Sequence, residues 1–400
     1  MIITSNNIPP EVKAPTSKSF ANRALILSAL FENDITLINL PKANDVSDMI
    51  KALKEVGIVI ENQNEKSIVR GVFPECESLT YGNKIKLDLG EGGTTVRFLF
   101  VFLSLGRKEY HVKLKGEMAN RPIGELVRCL SDLGAKITIK DNSNYIIQGP
   151  IDLNNSVEVD CSKTTQFSSA LMLVSKLQTL NITNKNLTSS KKYIDLTKSL
   201  IKRFLNNETS FSIPVDFSGL SYILAESLFN NSTCVSNLFE IDKLQADSIL
   251  LDIIKDVGGR YTITDKGLTI SPIKNLNYNL NIDGSNCLDL VPTLMFIGSK
   301  LKGVTTLKNI KNLKYKECDR LAEMMNILDH FSVKFKYDGE EDVFKIFPST
   351  IRAKHSEYKT LDDHRMVMIL TLFTRASGGG KISPHESVNK SFQDFFDIFT

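Results

Sequence analysis

Residues 314–325 read KYKECDRLAEMM, and Lys314, Lys316, Glu317, Asp319 and Arg320 crowd together where an apolar helical pattern begins. Carboxylates beside ammonium and guanidinium groups are equipped for proton transfer next to a bound anion. Four more stretches open alike, with small hydroxyl or acidic residues, a Lys, Arg or Gln close behind, and then an apolar run: TSKSFANRALILSAL, GEGGTTVRFLFVFL, CSKTTQFSSALMLV and LDDHRMVMILTLF. Free amides and the dipole make any helix start a modest anion site, worth ~0.3–1 kcal/mol. Capping explains Ser, Thr and Asp at a single such place without a ligand. It does not explain Lys18, Arg23, Arg97, Arg320 and Arg365, because cations near a helix start oppose the dipole. Convergence on a ligand bearing phosphate and carboxylate groups would offset that cost. Arg121 in RPIG and Lys390 in NKSF extend the set, although each alone also reads as a solvated surface charge.

The elements that must carry these residues follow one grammar: an amphipathic helix, a glycine, then alternating apolar residues. In ELVRCLSDLGAKITI, Leu126, Leu130 and Leu133 precede Gly134, and Ile137 and Ile139 follow it. This is a helix stopped by glycine and feeding a strand. The order recurs in IKALKEVGIVIE at Gly57, in ILLDIIKDVGGRYTI at Gly258, and in AEMMNILDHFSVKFKY, where Ser332 takes the glycine position. The first two copies lie about 75 residues apart, as do the last two, which suggests two similar halves joined near Pro214 and Asp216. YIIQGP, KITIK and YTITDKGLTI alternate, as sheets with one covered face do, so the expected class is α+β.

A chain of 400 residues exceeds the usual size of one core, and two domains of roughly 200 residues are the natural division. Its 42% hydrophobic and 24% charged residues are those of a soluble globular protein. A net charge of +3 argues against bulk nucleic-acid binding and leaves local cation clusters as sites for small anions. Cys76, Cys129, Cys161, Cys234, Cys287 and Cys318 are too dispersed for a CxxC pair, so no metal cluster is expected. The N-terminus is unlike a leader, and no apolar run of about 18 residues is present. A cytoplasmic location is therefore expected.

With these residues assembled, the sequence resembles the 5-enolpyruvylshikimate-3-phosphate synthases, enolpyruvyl transferases of aromatic amino-acid biosynthesis, across essentially its whole length. SKSFANRALIL, GTTVRFL, RPIGELV, TTQFSSALM, YKECDRLAEM, DDHRM and NKSFQDFF look like that family's blocks in that family's order, whereas a lone GxxT or DxxR would be weak. The resemblance implies an α+β (α/β) fold, a two-domain inside-out α/β barrel with three repeated βαβαββ units per domain. One domain would comprise residues 1–14 plus 216–400 and the other 15–215, with the active site in an interdomain cleft that closes on substrate. The implied partners are two small molecules, shikimate 3-phosphate and phosphoenolpyruvate, with no cofactor, metal, nucleic acid or membrane. A monomer is expected, though no residue pattern fixes it.

The reaction so implied passes through a tetrahedral adduct and expels phosphate. The 5-hydroxyl must lose a proton while the enol-ether methylene gains one. By motif position Asp289, in NCLDLVPT, would be the base; Glu317 and Lys18 would serve the methylene proton and the departing phosphate. Read without the resemblance, Asp289 could as well cap a helix and Glu317 pair with Arg320 on one turn. The resemblance sets Lys18, Gly93, Arg121, Gln166, Arg320, Arg365 and Lys390 around phosphoenolpyruvate. It sets Lys18, Ser19, Arg23, Thr164, Thr165, Gln166, Ser190, Tyr193, Asp289, Asn312 and Lys316 around shikimate 3-phosphate. His364 either polarises the site or satisfies a buried hydrogen bond. Asp319 would orient its neighbours by capping or ion pairing.

Some positions depart from the family pattern. Thr16 stands where a glycine usually precedes SKS, Thr164 and Thr165 replace a serine pair, and Lys192 replaces a proline beside Tyr193. GNAGT has become GEGGT, and the carboxylate of Glu91 should weaken anion binding unless a nearby cation neutralises it. Two other functions compete. A transferase acting on UDP-N-acetylglucosamine usually carries a cysteine in the loop before its arginine, and KGEMANRPIG has none. A non-catalytic phosphometabolite-binding protein would be expected to lose Lys18, Asp289 or Glu317, and all three stand.

Overall fold

The computed structural model describes residues 1–175 and 180–400, in two compact units: Thr16–Pro214, and Met1–Pro15 with Val215–Thr400. In the first, helices α1 (Lys18–Ser28), α2 (Asn44–Glu55), α3 (Gly93–Leu103), α4 (Gly124–Asp132), α5 (Gln166–Ser175) and α6 (Lys191–Leu205) alternate with short strands. Every residue of α3 is buried, and α1 and α5 bury nearly as much. GTTVRFLFVFL has no continuous polar face, and such a helix has to lie inside. The helices α2, α4 and α6 bury one side each, as their apolar spacing requires.

Sheets cover those helices. One runs in the order Ser210–Ser212, Ile35–Ile38, Lys66–Arg70, Val59–Gln63, and another Lys84–Asp88, Glu109–Lys113, Asn144–Gln148, Lys136–Ile139. In both, the first pair is parallel and the remaining pairs antiparallel. A third, shorter sheet pairs Ser156–Asp160 with Asn181–Lys185 in parallel.

The other unit repeats the plan with α7 (Phe217–Phe229), α8 (Leu250–Asp256), α9 (Val291–Lys300), α10 (Arg320–His330) and α11 (His364–Ala376). Here α7, α9 and α11 are the enclosed helices. Its four-stranded sheets run Arg260–Thr264, Gly267–Ser271, Thr233–Val235, Glu11–Val12, and Leu280–Asp283, Thr305–Lys308, Val343–Ile346, Phe335–Asp338. The third joins Ile2–Ile3, Gly380–Ser383 and Glu357–Lys359.

The four helix–glycine–strand stretches are α2, α4, α8 and α10, each leading into a strand of a four-stranded sheet. The turn residues Gly57, Gly134 and Gly258 have φ of +98°, +103° and +77°, where a side chain would be strained. Ser332 reaches the same turn at φ +59°. No described helix is long and apolar enough to cross a membrane.

Candidate active site

In the unit of residues 16–214, the starts of α1, α3 and α5 carry the polar side chains. Ser17 caps α1 by accepting from Phe20 N at 3.3 Å. Lys18 donates to Asp45 Oδ2 at 2.6 Å, and with the Asp45 side chain 3% exposed the ammonium has a buried counter-ion from the first turn of α2. Arg23 is enclosed: Nε donates to Thr197 Oγ1 at 2.7 Å, Nη1 to the Ser19 carbonyl at 2.8 Å, and Nη2 to Ser169 Oγ and the Tyr193 carbonyl, both at 3.4 Å. Burial lowers its pKa to about 10. Ser190 adopts φ +57° ahead of α6, and its carbonyl accepts from Thr165 Oγ1 at 3.4 Å and Tyr193 N at 3.2 Å. Thr164 Oγ1 accepts from Gln166 N at 3.2 Å, a capping contact at the start of α5.

Gln166 is oriented by Arg97, whose Nη1 donates to Gln166 Oε1 at 2.5 Å while Gln166 Nε2 donates to Thr94 Oγ1 at 3.1 Å. Arg97 also grips the Pro122 carbonyl with Nε at 3.2 Å and Nη2 at 2.7 Å. Burial holds its pKa well below the usual arginine value, and the charge of Arg121 adds to that. Arg121 lies against the first residue of α3: a Cβ on Gly93 would fall 2.5 Å from Nη1 and 2.7 Å from Cζ. The buried Nε of Arg121 makes no hydrogen bond within the protein, which suits a donor meant for an anionic ligand.

Glu91 lies within electrostatic reach of Lys115. Lys115 pairs with Asp88 at 2.6 Å, and its pKa is raised first by that bond, with the charges of Asp48 and Glu91 adding to it. Among the other departures, Thr16 Oγ1 donates to the Asn39 carbonyl at 2.8 Å, and Lys192 is exposed on α6.

In the other unit, Asp289 sits just before α9 amid three cations. Its Oδ1 lies 2.9 Å from Arg320 Nη1, 3.2 Å from Lys316 Nζ and 3.5 Å from Arg365 Nε, and its carbonyl accepts from Arg365 Nη1 at 3.4 Å. The capping alternative fails, because no side chain caps α9. Burial alone would push the Asp289 carboxyl up, but Arg365, Lys316 and Arg320 outweigh it and hold it well below the usual range. Arg320, the first residue of α10, is also gripped by Asp363, with Nε to Oδ2 at 2.7 Å and Nη2 to Oδ1 at 3.2 Å. Asp363 is fully buried and caps α11 by accepting from Arg365 N at 2.8 Å. Asp319 caps α10 through Ala322 N at 3.0 Å.

Glu317 shares a hydrogen bond with His364: Oε2 lies 2.9 Å from Nδ1. Asn312 is buried in the turn Lys311–Tyr315 before Lys316, and burial lowers the Lys316 pKa against the opposing pull of Asp289. Lys390 is buried with Nζ 3.4 Å from the Asp362 carbonyl. Tyr222 and Asp247 are both buried and neighbour Arg365; burial lowers the arginine's pKa, but the charge of Asp289 above all raises it well over the usual value. Asp247 accepts from Ser218 Oγ, and burial followed by the charge of Asp289 pushes its pKa up to about 7.

The structure thus places Lys18, Ser19, Arg23, Gly93, Arg121, Thr164, Thr165, Gln166, Ser190 and Tyr193 in one unit, where Arg23 meets Ser19 and Tyr193, Thr165 meets Ser190, and Arg121 lies against Gly93. In the other it brings Asp289 together with Lys316, Arg320 and Arg365, and the same unit holds Asn312, Glu317 and Lys390. Sequence reasoning missed Asp45, Asp363 and Asp247, the carboxylates that hold or flank these cations. Asp363 stands inside the DDHRM block, so a search for counter-ions to the dipole-opposing arginines could have found it. Glu317, Asp363 and His364 bring ligand-type atoms within 4.8 Å of one another, but both Asp363 oxygens face Arg320, so the trio fits a charge network better than a metal seat.

Cations near helix starts in each unit, with Asp289 among three of them in one and an unmet Arg121 donor in the other, define a two-unit α/β protein whose chemistry suits small polyanions. The profile of EPSP synthase (3-phosphoshikimate 1-carboxyvinyltransferase) matches residues 2–399, and the chain belongs to that family. It is 31% identical to the 3-phosphoshikimate 1-carboxyvinyltransferase of Sulfurovum sp. (strain NBC37-1) over 98% of this chain and 96% of that one. It is 30% identical to the enzyme of that name from Buchnera aphidicola subsp. Cinara cedri, over 98% and 94%. Its fold is similar to the 2.37 Å structure of EPSP synthase from Acinetobacter baumannii (TM-score 0.77, 20% identity, 99% and 96% covered). It is also similar to that of the enolpyruvyl transferase NikO from Streptomyces tendae (TM-score 0.72, 11% identity, 100% and 95% covered).

Proposed function

We propose that this protein transfers the enolpyruvyl group of phosphoenolpyruvate to the 5-hydroxyl of shikimate 3-phosphate by addition and elimination, releasing inorganic phosphate. The observation that carries the residue assignment is Asp289 held among Lys316, Arg320 and Arg365. These cations keep the carboxylate ionised and ready to accept the hydroxyl proton, yet they also make it a weak base. Anionic substrates on the same cations neutralise their pull and raise the basicity of Asp289 at the moment it is needed. Glu317, hydrogen-bonded to His364, and Lys18, paired with Asp45, serve the methylene proton and the leaving phosphate.

Lys18, Gly93, Arg121, Gln166, Arg320, Arg365 and Lys390 hold phosphoenolpyruvate in this reading. Lys18, Ser19, Thr164, Thr165, Gln166, Ser190, Tyr193, Asp289, Asn312 and Lys316 hold shikimate 3-phosphate. Arg23 joins them through Nη2, whose two protein contacts are both long at 3.4 Å. Both residue sets serve the one reaction in this reading, in a monomer; the six free cysteines suit a reducing cytoplasm. The test mixes purified protein with both substrates and follows phosphate release, with UDP-N-acetylglucosamine as control acceptor. Release with shikimate 3-phosphate alone supports the reading; release only with the control acceptor, or with neither, ends it.

A further inference from the structure

Glu91 is the residue whose chemistry fits an anion site worst, and its carboxylate has a definite place in the fold. Gly116 has φ +48°, and a Cβ there would lie 2.3 Å from Glu91 Oε2 and 3.3 Å from its Cδ, so the carboxylate occupies the space that a side chain at 116 would take. Gly116 opens the short turn Gly116–Asn120, which leads directly to Arg121.

Up to Lys115 the chain is sewn to the Leu89–Gly90 stretch by Leu89 N to the Lys113 carbonyl and Lys115 N to the Gly90 carbonyl, both 2.9 Å. Beyond Arg121, the Pro122 carbonyl is held by Arg97. Between these tethers the turn is fixed inward by Met118, which is buried, and rests at its start on Glu91. The charged group that the Glu91 carboxylate acts on is Lys115, which pairs with Asp88 and also feels Asp48.

We propose that Glu91 is a positioning residue that braces the 116–120 turn and so sets the Arg121 guanidinium over Gly93. Its carboxylate lies against Gly116 and its charge acts on Lys115. This rests on the phosphoenolpyruvate reading of Arg121 for its kinetic consequence, but the brace itself does not.

Two measurements separate the two ideas. Amide hydrogen exchange of residues 116–121 in the substrate-free protein should quicken by roughly tenfold in Glu91→Ala and in Gly116→Ala, while that of α3 stays unchanged. In phosphate-release kinetics, Glu91→Ala should raise KM for phosphoenolpyruvate roughly tenfold, with kcat and KM for shikimate 3-phosphate within about threefold of wild type. Glu91→Gln, of equal size, should recover most of that loss. The double variant Glu91→Ala/Gly116→Ala should be no worse than the worse single one, because both break one contact. Unchanged exchange at 116–121, a lowered KM for phosphoenolpyruvate in Glu91→Ala, or defects that multiply in the double variant would each overturn the brace. Wild-type protein inactive in the assay, with quickened exchange in both variants, would sink the proposed reaction and leave the brace standing.

Discussion

Replacing Asp363 with asparagine keeps its shape and removes the charge that grips Arg320. At the 2.7 Å of the shorter contact, two unit charges attract by about 6 kcal/mol at an effective dielectric of 20, before desolvation is counted. Removing one partner of a buried pair costs about 3–5 kcal/mol, since the other charge is left uncompensated. Asp289 still contacts Arg320 Nη1, so the lower end, about 3 kcal/mol, is expected. The asparagine oxygen can still accept from Arg365 N, so the cap of α11 survives and the loss belongs to the ion pair. Because the chain has no tryptophan, urea unfolding is best followed by circular dichroism, with the transition of the unit containing residues 215–400 compared between variants. In the same variant kcat/KM for phosphoenolpyruvate should fall by about a hundredfold or more, as a displaced Arg320 no longer presents its guanidinium in register. Cys318→Ser, which alters a 3.6 Å thiol contact to Asp363 and a half-buried packing contact but no ion pair, should cost less than about 1 kcal/mol and serves as control. A stability loss under about 1 kcal/mol, with kcat/KM within about threefold of wild type, would refute the reasoning.

Other outcomes follow from the same geometry. Gly93→Ala places a methyl 2.5 Å from Arg121 Nη1; the guanidinium, as the far end of a flexible side chain, shifts aside, and steady-state kinetics should show a raised KM for phosphoenolpyruvate with KM for shikimate 3-phosphate unchanged. Lys18→Met leaves the buried Asp45 carboxylate without its ammonium, so the melting temperature should drop, by an amount equivalent to about 1–3 kcal/mol, together with activity. Asp247, with a folded pKa of about 7 against an unfolded value near 3.9, keeps a proton that the unfolded chain releases, so it costs stability as pH rises from about 4 to 7. Thermal unfolding of Asp247→Asn should therefore lose less stability than wild type between pH 5 and 7. Asp289 and Asp363 act with the opposite sign: their depressed values add stability above about pH 4 that is lost as pH falls further, and acid titration of unfolding should show that loss reduced in Asp363→Asn.

Much of the architecture was legible because it is local. A helix ending two residues before a left-handed glycine is written in consecutive letters, and Gly57, Gly134 and Gly258 mark it. Ser332 was legible only through its place in the repeat, since serine pays a strain there that glycine avoids. The all-round apolar run of α3 likewise dictates an enclosed helix whatever surrounds it.

The cations near helix starts were legible as anomalies, but their meaning was not. Arg23 and Arg97 oppose the dipole and are offset by carbonyl, hydroxyl and amide acceptors inside the fold, whereas Arg121 keeps its Nε unmet. Nothing in the local sequence distinguishes these two situations. Asp45 reaches Lys18 across 27 positions and Asp363 reaches Arg320 across 43, and sequence spacing carries no signal for pairs so remote.

The helix–turn–strand repeat, the two similar halves and the residue types available for chemistry are thus written in the order of the amino acids alone. Only the tertiary structure decided which carboxylate answers which cation, because charges interact through distance and burial, and both are set by packing of elements far apart in the chain.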